Sequence, residues 1–154
     1  MKIEAFLSLH TLKKMKTLFV LILMFSCSKD DIKRNPYLHE VSFSHSINLN
    51  LPEYDNLNFA GGSKLVPYGG INGILIFNIN GNDIFAWEAS CSNHKLEFCS
   101  KLSIDGFLAN CSCDNFKYSL ATGQLLEGGI ESSTQYPLLN YRIERLGKII
   151  IISN

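Results

Sequence analysis

Polar and apolar residues alternate strictly along the segment from Val41 to Leu51. Valine, phenylalanine, histidine, isoleucine or leucine occupies each odd position, and serine or asparagine occupies each even position. A period of two over this length predicts a β-strand with one buried face, and Pro52 is expected to end it. His45 falls on the apolar face, where we expect an inward or edge histidine rather than a metal ligand.

Six further runs of the chain are predicted to be strands. They cover residues 74–77, 84–87, 106–110, 117–120, 141–145 and 148–152. The first two flank Asn80-Gly81-Asn82 and the last two flank Leu146-Gly147, so each of these pairs predicts a hairpin. Because no segment after the N-terminal region has a helical period, the sequence predicts one all-β domain, a small antiparallel sandwich or barrel.

Composition and charge narrow the class of protein. The chain has 154 residues, of which 46% are hydrophobic, and this length suits a single domain with an ordinary core. The 14 basic and 14 acidic residues balance, but the first 26 residues hold four basic residues and one acidic residue. The remainder therefore carries a net charge near −3, which argues against a nucleic-acid-binding protein.

Residues 1–26 are predicted to be a secretory signal peptide. A basic start, the eight apolar residues Leu18–Phe25 and a small residue before the break have the composition of such a signal. The apolar run is too short to span a bilayer, which takes about 20 residues. Glu4 and His10 are unusual in the basic part of a signal, so Met15 is an alternative start.

Cys27 follows the signal directly, and the junction resembles the lipobox of bacterial lipoproteins. The resemblance implies that Cys27 is acylated and anchors the chain to a membrane; the alternative is a plain secreted protein. Residues 28–31 resemble the surface-export signal of lipoproteins from the Bacteroidetes group, or else form only a charged tether. We therefore expect an exported outer-membrane lipoprotein, exposed on the cell surface if the signal is real, with 27–40 as lipidated tether and 41–154 as β domain.

The predicted domain contains four cysteines. Outside the cytoplasm thiols tend to be paired or ligated, and Cys91, Cys99, Cys111 and Cys113 allow three pairings. A zinc site from Cys91, His94, Cys111 and Cys113 is another option, but one residue between Cys111 and Cys113 is tighter than the usual spacing of about two to four. A direct disulfide between these two would be strained, so we expect each to have a different partner.

Four stretches of the chain together resemble a known family. They are Cys91-Ser-Asn-His94 with Cys99, Cys111-Ser-Cys113-Asp114, Phe116-Lys-Tyr118-Ser-Leu120-Ala-Thr-Gly123, and Tyr136-Pro-Leu-Leu-Asn-Tyr141-Arg-Ile143. Over about residues 71–154 this pattern is similar to a Rieske domain, and the whole mature chain resembles the Rieske-like lipoproteins of flavobacteria. The resemblance implies a small antiparallel β fold in which two cysteine-bearing loops hold a 2Fe–2S cluster.

Within that family a cysteine and a histidine from each loop bind the cluster, and the two remaining cysteines can form a disulfide. The resemblance therefore implies that Cys91 and Cys111 are cluster ligands and that Cys99 and Cys113 form the disulfide. It also implies an electron carrier that works with a redox protein partner and has no catalytic activity of its own.

The sequence departs from the family at both histidine positions. Asn93 stands where the first histidine is expected and His94 follows it, in a loop three residues longer than the family's. Asp114 stands at the second histidine position. The implied ligand set is Cys91, His94, Cys111 and Asp114, with Asn93 as the alternative to His94. A carboxylate adds negative charge and is a harder ligand than imidazole, so it should lower the cluster's potential.

Two interpretations thus remain open. One is the anchored electron carrier, and the other is a clusterless Rieske fold with a binding or structural role at the outer membrane. In the second interpretation Cys91 and Cys111 form another disulfide beside Cys99–Cys113. Among the other residues near the loops, Trp87 is expected in the core and Glu88 is expected to be solvated.

Overall fold

The structure of the chain, a computed structural model, describes residues 34–128 and 135–154. The predicted signal peptide and Cys27 lie outside the described residues. Within them the chain forms ten strands and one short helix. In chain order the strands are β1 Ser44–Asn48, β2 Ser63–Val66, β3 Ile74–Asn78, β4 Ile84–Glu88, β5 Ser103–Asp105, β6 Leu108–Asn110, β7 Lys117–Ser119, β8 Leu125–Glu127, β9 Asn140–Leu146 and β10 Ile149–Ser153.

The strands form two antiparallel sheets. The larger sheet has six strands in the order β1-β10-β9-β4-β3-β2, and the smaller sheet has four in the order β5-β6-β7-β8. All pairings between named strands are antiparallel. The predicted all-β antiparallel fold with two cysteine-bearing loops is confirmed.

Both predicted hairpins form. At the β3–β4 turn the side-chain oxygen of Asn78 accepts the N–H groups of Asn80 and Gly81, and Gly81 has a positive φ of 96° that favours glycine. The β9–β10 turn uses Gly147 in the same left-handed region. The turn residues that indicated hairpins in the sequence therefore also close them.

The first predicted strand is shorter than its alternation, and a helix follows it. β1 covers only five residues of the pattern, with Ile47 buried on the predicted face. A 3-10 helix spans Pro52–Asn58 and buries Tyr54 and Leu57. No helical period indicated this helix in the sequence, because a seven-residue helix with two buried positions is too short to give a detectable period.

Two hydrophobic clusters form the core. One lies beneath the six-stranded sheet and includes Ile47, Leu57, Ile76, Ala86, Tyr141 and Ile150. The other joins the two sheets and includes Leu75, Trp87, Cys91, Cys111, Tyr118 and Leu120. The predicted core position of Trp87 is confirmed, and its indole N–H donates to the carbonyl of Leu120 at 2.8 Å. The cysteines of the candidate site therefore belong to the second cluster.

The residues at the start of the described chain pack on the domain. The side-chain amide of Asn35 donates to the carbonyl of Ser92 at 2.8 Å, and the ring of Tyr37 lies edge-on against that of Tyr136. Leu38 is buried. Part of the segment assigned to the tether thus contacts the β domain at Ser92, the residue after Cys91. Among residues 34–128 and 135–154, no helix is long and apolar enough to cross a membrane.

Candidate metal centre

Two loops carry the four cysteines of the domain. The first loop, residues 89–102, joins β4 to β5, and the second loop, residues 111–116, joins β6 to β7. The backbone N–H groups of Cys91 and Cys111 each donate to a carbonyl of their own loop at 2.8 Å. Each loop is therefore closed on itself at the cysteine, which fixes the position of the backbone from which the thiol projects.

Three potential metal ligands meet between the loops. The sulfurs of Cys91 and Cys111 and a ring nitrogen of His94 all lie within 4.8 Å of one another, and His94 Nε2 is 3.1 Å from Cys111 Sγ. Both cysteines are buried and are free thiols. The second disulfide of the clusterless interpretation is therefore not formed.

The ring of His94 is oriented by its neighbours. Nδ1 lies 2.7 Å from the carbonyl oxygen of Lys95, and the ring is stacked on Phe116 with an interplanar angle of 18°. A carbonyl oxygen only accepts hydrogen bonds, so Nδ1 carries a proton. Nε2 is then the nitrogen available to a metal, which is the usual way in which the partner of one ring nitrogen selects the other as ligand.

The three groups influence one another's protonation. The hydrogen bond with Cys91 and that with His94 lower the pKa of Cys111 to about 5, against the opposing effect of burial. The shared hydrogen bond with Cys111 and burial raise the pKa of Cys91. Burial lowers the pKa of His94, but its contacts with Cys111 and the Lys95 carbonyl raise it by more. Without metal the site thus favours a Cys111 thiolate beside an imidazolium, and a bound metal would replace the protons.

Tyr118, on β7, contacts the site through its hydroxyl group. Its hydroxyl oxygen is 3.2 Å from Cys91 Sγ, and burial together with this contact raises the pKa of the phenol, which is therefore neutral. The sequence predicted the strand but not this contact, because Cys91 lies 27 residues away along the chain.

The side-chain amide of Asn93 is hydrogen-bonded to Tyr118 and to the backbone of Tyr136. Its side-chain nitrogen donates to the Tyr118 hydroxyl and to the Tyr136 carbonyl, and its side-chain oxygen accepts from the Tyr136 N–H. All three distances are 2.8 Å. His94, rather than Asn93, is the residue of the first loop that meets the thiols.

Asp114 lies at the edge of the site. Its carboxylate oxygen is 4.0 Å from His94 Nε2, and its side chain is 50% exposed. Cys99 and Cys113 form a disulfide that joins the two loops, and the hydroxyl of Ser112 donates to the Cys99 carbonyl. The two loops are thus linked covalently beside the site, and both bonded sulfurs are unavailable to a metal.

Glu88 corrects an expectation from the sequence. It was expected to be solvated, yet it is fully buried. Its carboxylate accepts hydrogen bonds from two backbone N–H groups in residues 71–72, from Ser90 and from Tyr141. These donors satisfy the buried charge. They also fix the end of β4, three residues before Cys91.

The chemistry of these residues fits a metal centre. Two thiolates and an imidazole are the side chains that bind iron in iron–sulfur proteins and that bind zinc in tetrahedral sites. Asp114 lies beside His94 but is not among the three residues whose donor atoms lie within 4.8 Å of one another. The residues present therefore fit a 2Fe–2S cluster in the kind of their donors, with three donors that converge and a carboxylate next to them.

Fold and site together define an all-β antiparallel domain with a thiolate–imidazole candidate metal centre between two disulfide-linked loops. No family model matches the chain, and no match was found among curated proteins. Among solved structures, it is similar to a chain of the complex of reduced oxygenase and oxidized ferredoxin in carbazole 1,9a-dioxygenase, with 18% identity and a TM-score of 0.42 over 60% of this chain and 89% of that chain. It is also similar to Sphingomonas yanoikuyae B1 ferredoxin, with 17% identity and a TM-score of 0.42 over 62% of this chain and 87% of that chain.

Proposed function

We propose that this protein is a lipid-anchored electron-transfer domain of the Rieske type, in which the two loops hold a 2Fe–2S cluster. The observation that carries the proposal is the meeting of Cys91, Cys111 and His94 between two loops that a disulfide joins. Such a cluster would exchange single electrons with a partner.

Each residue has a distinct part in this proposal. Cys91 and Cys111 would bind one iron, and His94 with Asp114 would bind the other. The disulfide between the loops holds the two proposed ligands of the first loop at a fixed distance from the two of the second loop. His94 and Asp114 are the ligands with solvent exposure, so we propose that a redox protein partner contacts this side of the site.

Membrane attachment is part of the same proposal. Cys27 stands where bacterial lipoproteins are acylated. We propose an outer-membrane lipoprotein that is anchored through Cys27. Replacing Cys27 with serine should release the exported protein from the membrane fraction. If the variant stays in that fraction after a high-salt wash, anchoring through Cys27 is refuted.

Metal and sulfide analysis tests the cluster. The chain, exported in a bacterial host and purified without oxygen, should contain iron and acid-labile sulfide in equal amounts, with visible absorption and an EPR signal after reduction. Asp114→His should raise the reduction potential, because a neutral imidazole replaces a carboxylate. Cys91→Ser should abolish the visible absorption. As the matched control, Cys27→Ser makes the same exchange outside both loops and should leave the absorption in place.

One observation favours a second candidate. All three donor atoms lie within 4.8 Å of one another, and this proximity also suits a single tetrahedral ion such as zinc. One equivalent of zinc without sulfide would therefore replace the electron-transfer proposal with a mononuclear site. A metal-free, colourless protein would refute both.

A further inference from the structure

We propose that Asn93 is a positioning residue that makes the Tyr118 hydroxyl donate its hydrogen to the sulfur of Cys91. The hydrogen-bond geometry carries this inference by itself. Its consequence for electron transfer rests on the proposed function, because that consequence requires a bound cluster.

The backbone of Tyr136 determines which way the Asn93 amide points. Its N–H faces Oδ1 of Asn93, and its carbonyl oxygen faces Nδ2, each at 2.8 Å. A backbone N–H only donates and a carbonyl oxygen only accepts. Rotating the amide by 180° would place the NH₂ group against the Tyr136 N–H, donor against donor, and the amide oxygen against the Tyr136 carbonyl, acceptor against acceptor. The nitrogen of Asn93 must therefore be the atom that faces Tyr118.

This orientation then fixes the hydrogen of Tyr118. The Asn93 nitrogen lies 2.8 Å from the phenol oxygen and can only donate to it. A phenol has a single hydrogen, and the oxygen already accepts from Asn93. The second contact of the hydroxyl is Cys91 Sγ at 3.2 Å, so the hydrogen points to the sulfur. Tyr118 is buried, and the pairing is therefore shielded from water.

A hydrogen bond donated to a ligand sulfur has a defined chemical effect. It stabilises negative charge on that sulfur, and hydrogen bonds to the sulfurs are among the factors that set the potential of iron–sulfur clusters. The reduced cluster would carry one more electron than the oxidised one, so the hydrogen bond from Tyr118 would stabilise the reduced form more than the oxidised form. Asn93 thus favours reduction without binding iron, and it does so only through Tyr118.

Asn93→Asp is the sharpest test, because it keeps the size of the side chain. The new carboxylate still accepts from the Tyr136 N–H, but it presents an acceptor to Tyr118 and draws the hydroxyl away from Cys91. Its charge also lowers the potential directly, so the variant is compared in the wild-type and Tyr118→Phe backgrounds. This double-mutant cycle removes the charge effect that both backgrounds share.

We expect Asn93→Asp to disfavour reduction more in the wild-type background than in Tyr118→Phe. The excess should be about tenfold in the equilibrium constant, which is about 59 mV for a one-electron couple. The control Asn115→Asp adds the same charge in the second loop and should act equally in both backgrounds. Equal effects of Asn93→Asp in the two backgrounds would overturn the proposal.

Nuclear magnetic resonance of the metal-free full chain tests the geometry without a cluster. The two amide hydrogens of Asn93 should both be hydrogen-bonded, and Tyr118→Phe should shift only the one that faces the phenol. If neither resonance moves, the role of Asn93 is refuted while the electron-transfer proposal stands. If one amide resonance moves but the chain never binds iron, the proposed function fails, and the hydrogen bonds from Asn93 to Tyr118 and from Tyr118 to Cys91 stand. Should Tyr118→Phe not fold, Asn93→Ser, which cannot reach Tyr118, must lower the potential or the proposal fails.

Discussion

Replacing Glu88 by glutamine keeps the shape of a fully buried side chain but turns one of its two oxygens into an NH₂ group. The carboxylate of Glu88 accepts four hydrogen bonds and has no cation among its hydrogen-bond partners in the described residues. Glutamine has one acceptor oxygen instead of two. In the variant, the two groups that donated to the replaced oxygen therefore face an NH₂ group, which is itself a donor. We expect this change to destabilise the domain strongly, even though the two side chains have almost the same volume.

The size of the effect can be worked out from the four partners. One oxygen of Glu88 accepts from the Ile71 N–H at 2.7 Å and from the Tyr141 hydroxyl. The other accepts from the Asn72 N–H at 3.0 Å and from the Ser90 hydroxyl at 2.8 Å. Hydroxyl hydrogens can rotate away, but a backbone N–H cannot, so either amide orientation leaves one N–H, that of Ile71 or that of Asn72, facing the new NH₂ group. Such an orphan costs about 1–3 kcal/mol, and with the loss of charge-assisted bonds we expect about 3–5 kcal/mol in all.

Urea denaturation of the metal-free protein measures this loss. The chain has one tryptophan, and because Trp87 lies in the core its fluorescence reports unfolding. Glu144→Gln on β9 is the matched control, since Glu144 is exposed, and it should change the free energy of unfolding by less than about 0.5 kcal/mol. A Glu88→Gln free energy within about 1 kcal/mol of wild type would refute the reasoning, because the network would then tolerate an unpaired donor.

Three further predictions concern the loops. Cys99→Ser with Cys113→Ser should lower the free energy of unfolding by about 3 kcal/mol, because the unfolded chain loses a cross-link over about 15 residues; an unchanged urea midpoint would contradict this. Asn115 has a φ of 54°, so Asn115→Ala should cost about 1 kcal/mol in thermal melts while Asn115→Gly should not. The pKa of His94 is raised above 6.5 in the folded metal-free protein. Its stabilising contribution is therefore complete below that value and is lost as pH rises through the folded-state pKa. His94→Gln should remove this pH-dependent part, and equal slopes of stability against pH in both proteins would exclude it.

The sequence predicted those strands whose signal is local. The hairpins around Gly81 and Gly147 were predicted because apolar runs and turn residues stand next to each other in the chain. β2, β5 and β8 have three or four residues, which is too few to establish a period, and they were missed. β6 and β7 are as short but were predicted. The fold class could thus be predicted from seven of the ten strands.

The residues that support the site were the hardest to predict. Glu88 follows four apolar residues and resembles the solvated end of a strand, yet its donors come from a loop 16 and 17 residues earlier and from a strand 53 residues later. Asn93 was considered as a ligand because it stands where the resembling family has its first histidine, and its partners lie 25 and 43 residues away. Contacts over such separations depend on the packing of the two sheets, which no local pattern encodes.

The four strands of the smaller sheet have only three residues each, whereas the hairpins of the larger sheet have strands of five and seven. Short strands open more easily than long ones in native-state hydrogen exchange, because fewer bonds must break together. Since Cys111 lies between two of these short strands, we expect the lifetime of a bound metal to follow the local opening of β6 and β7. A substitution in the larger sheet could then weaken the whole domain and leave metal retention unchanged.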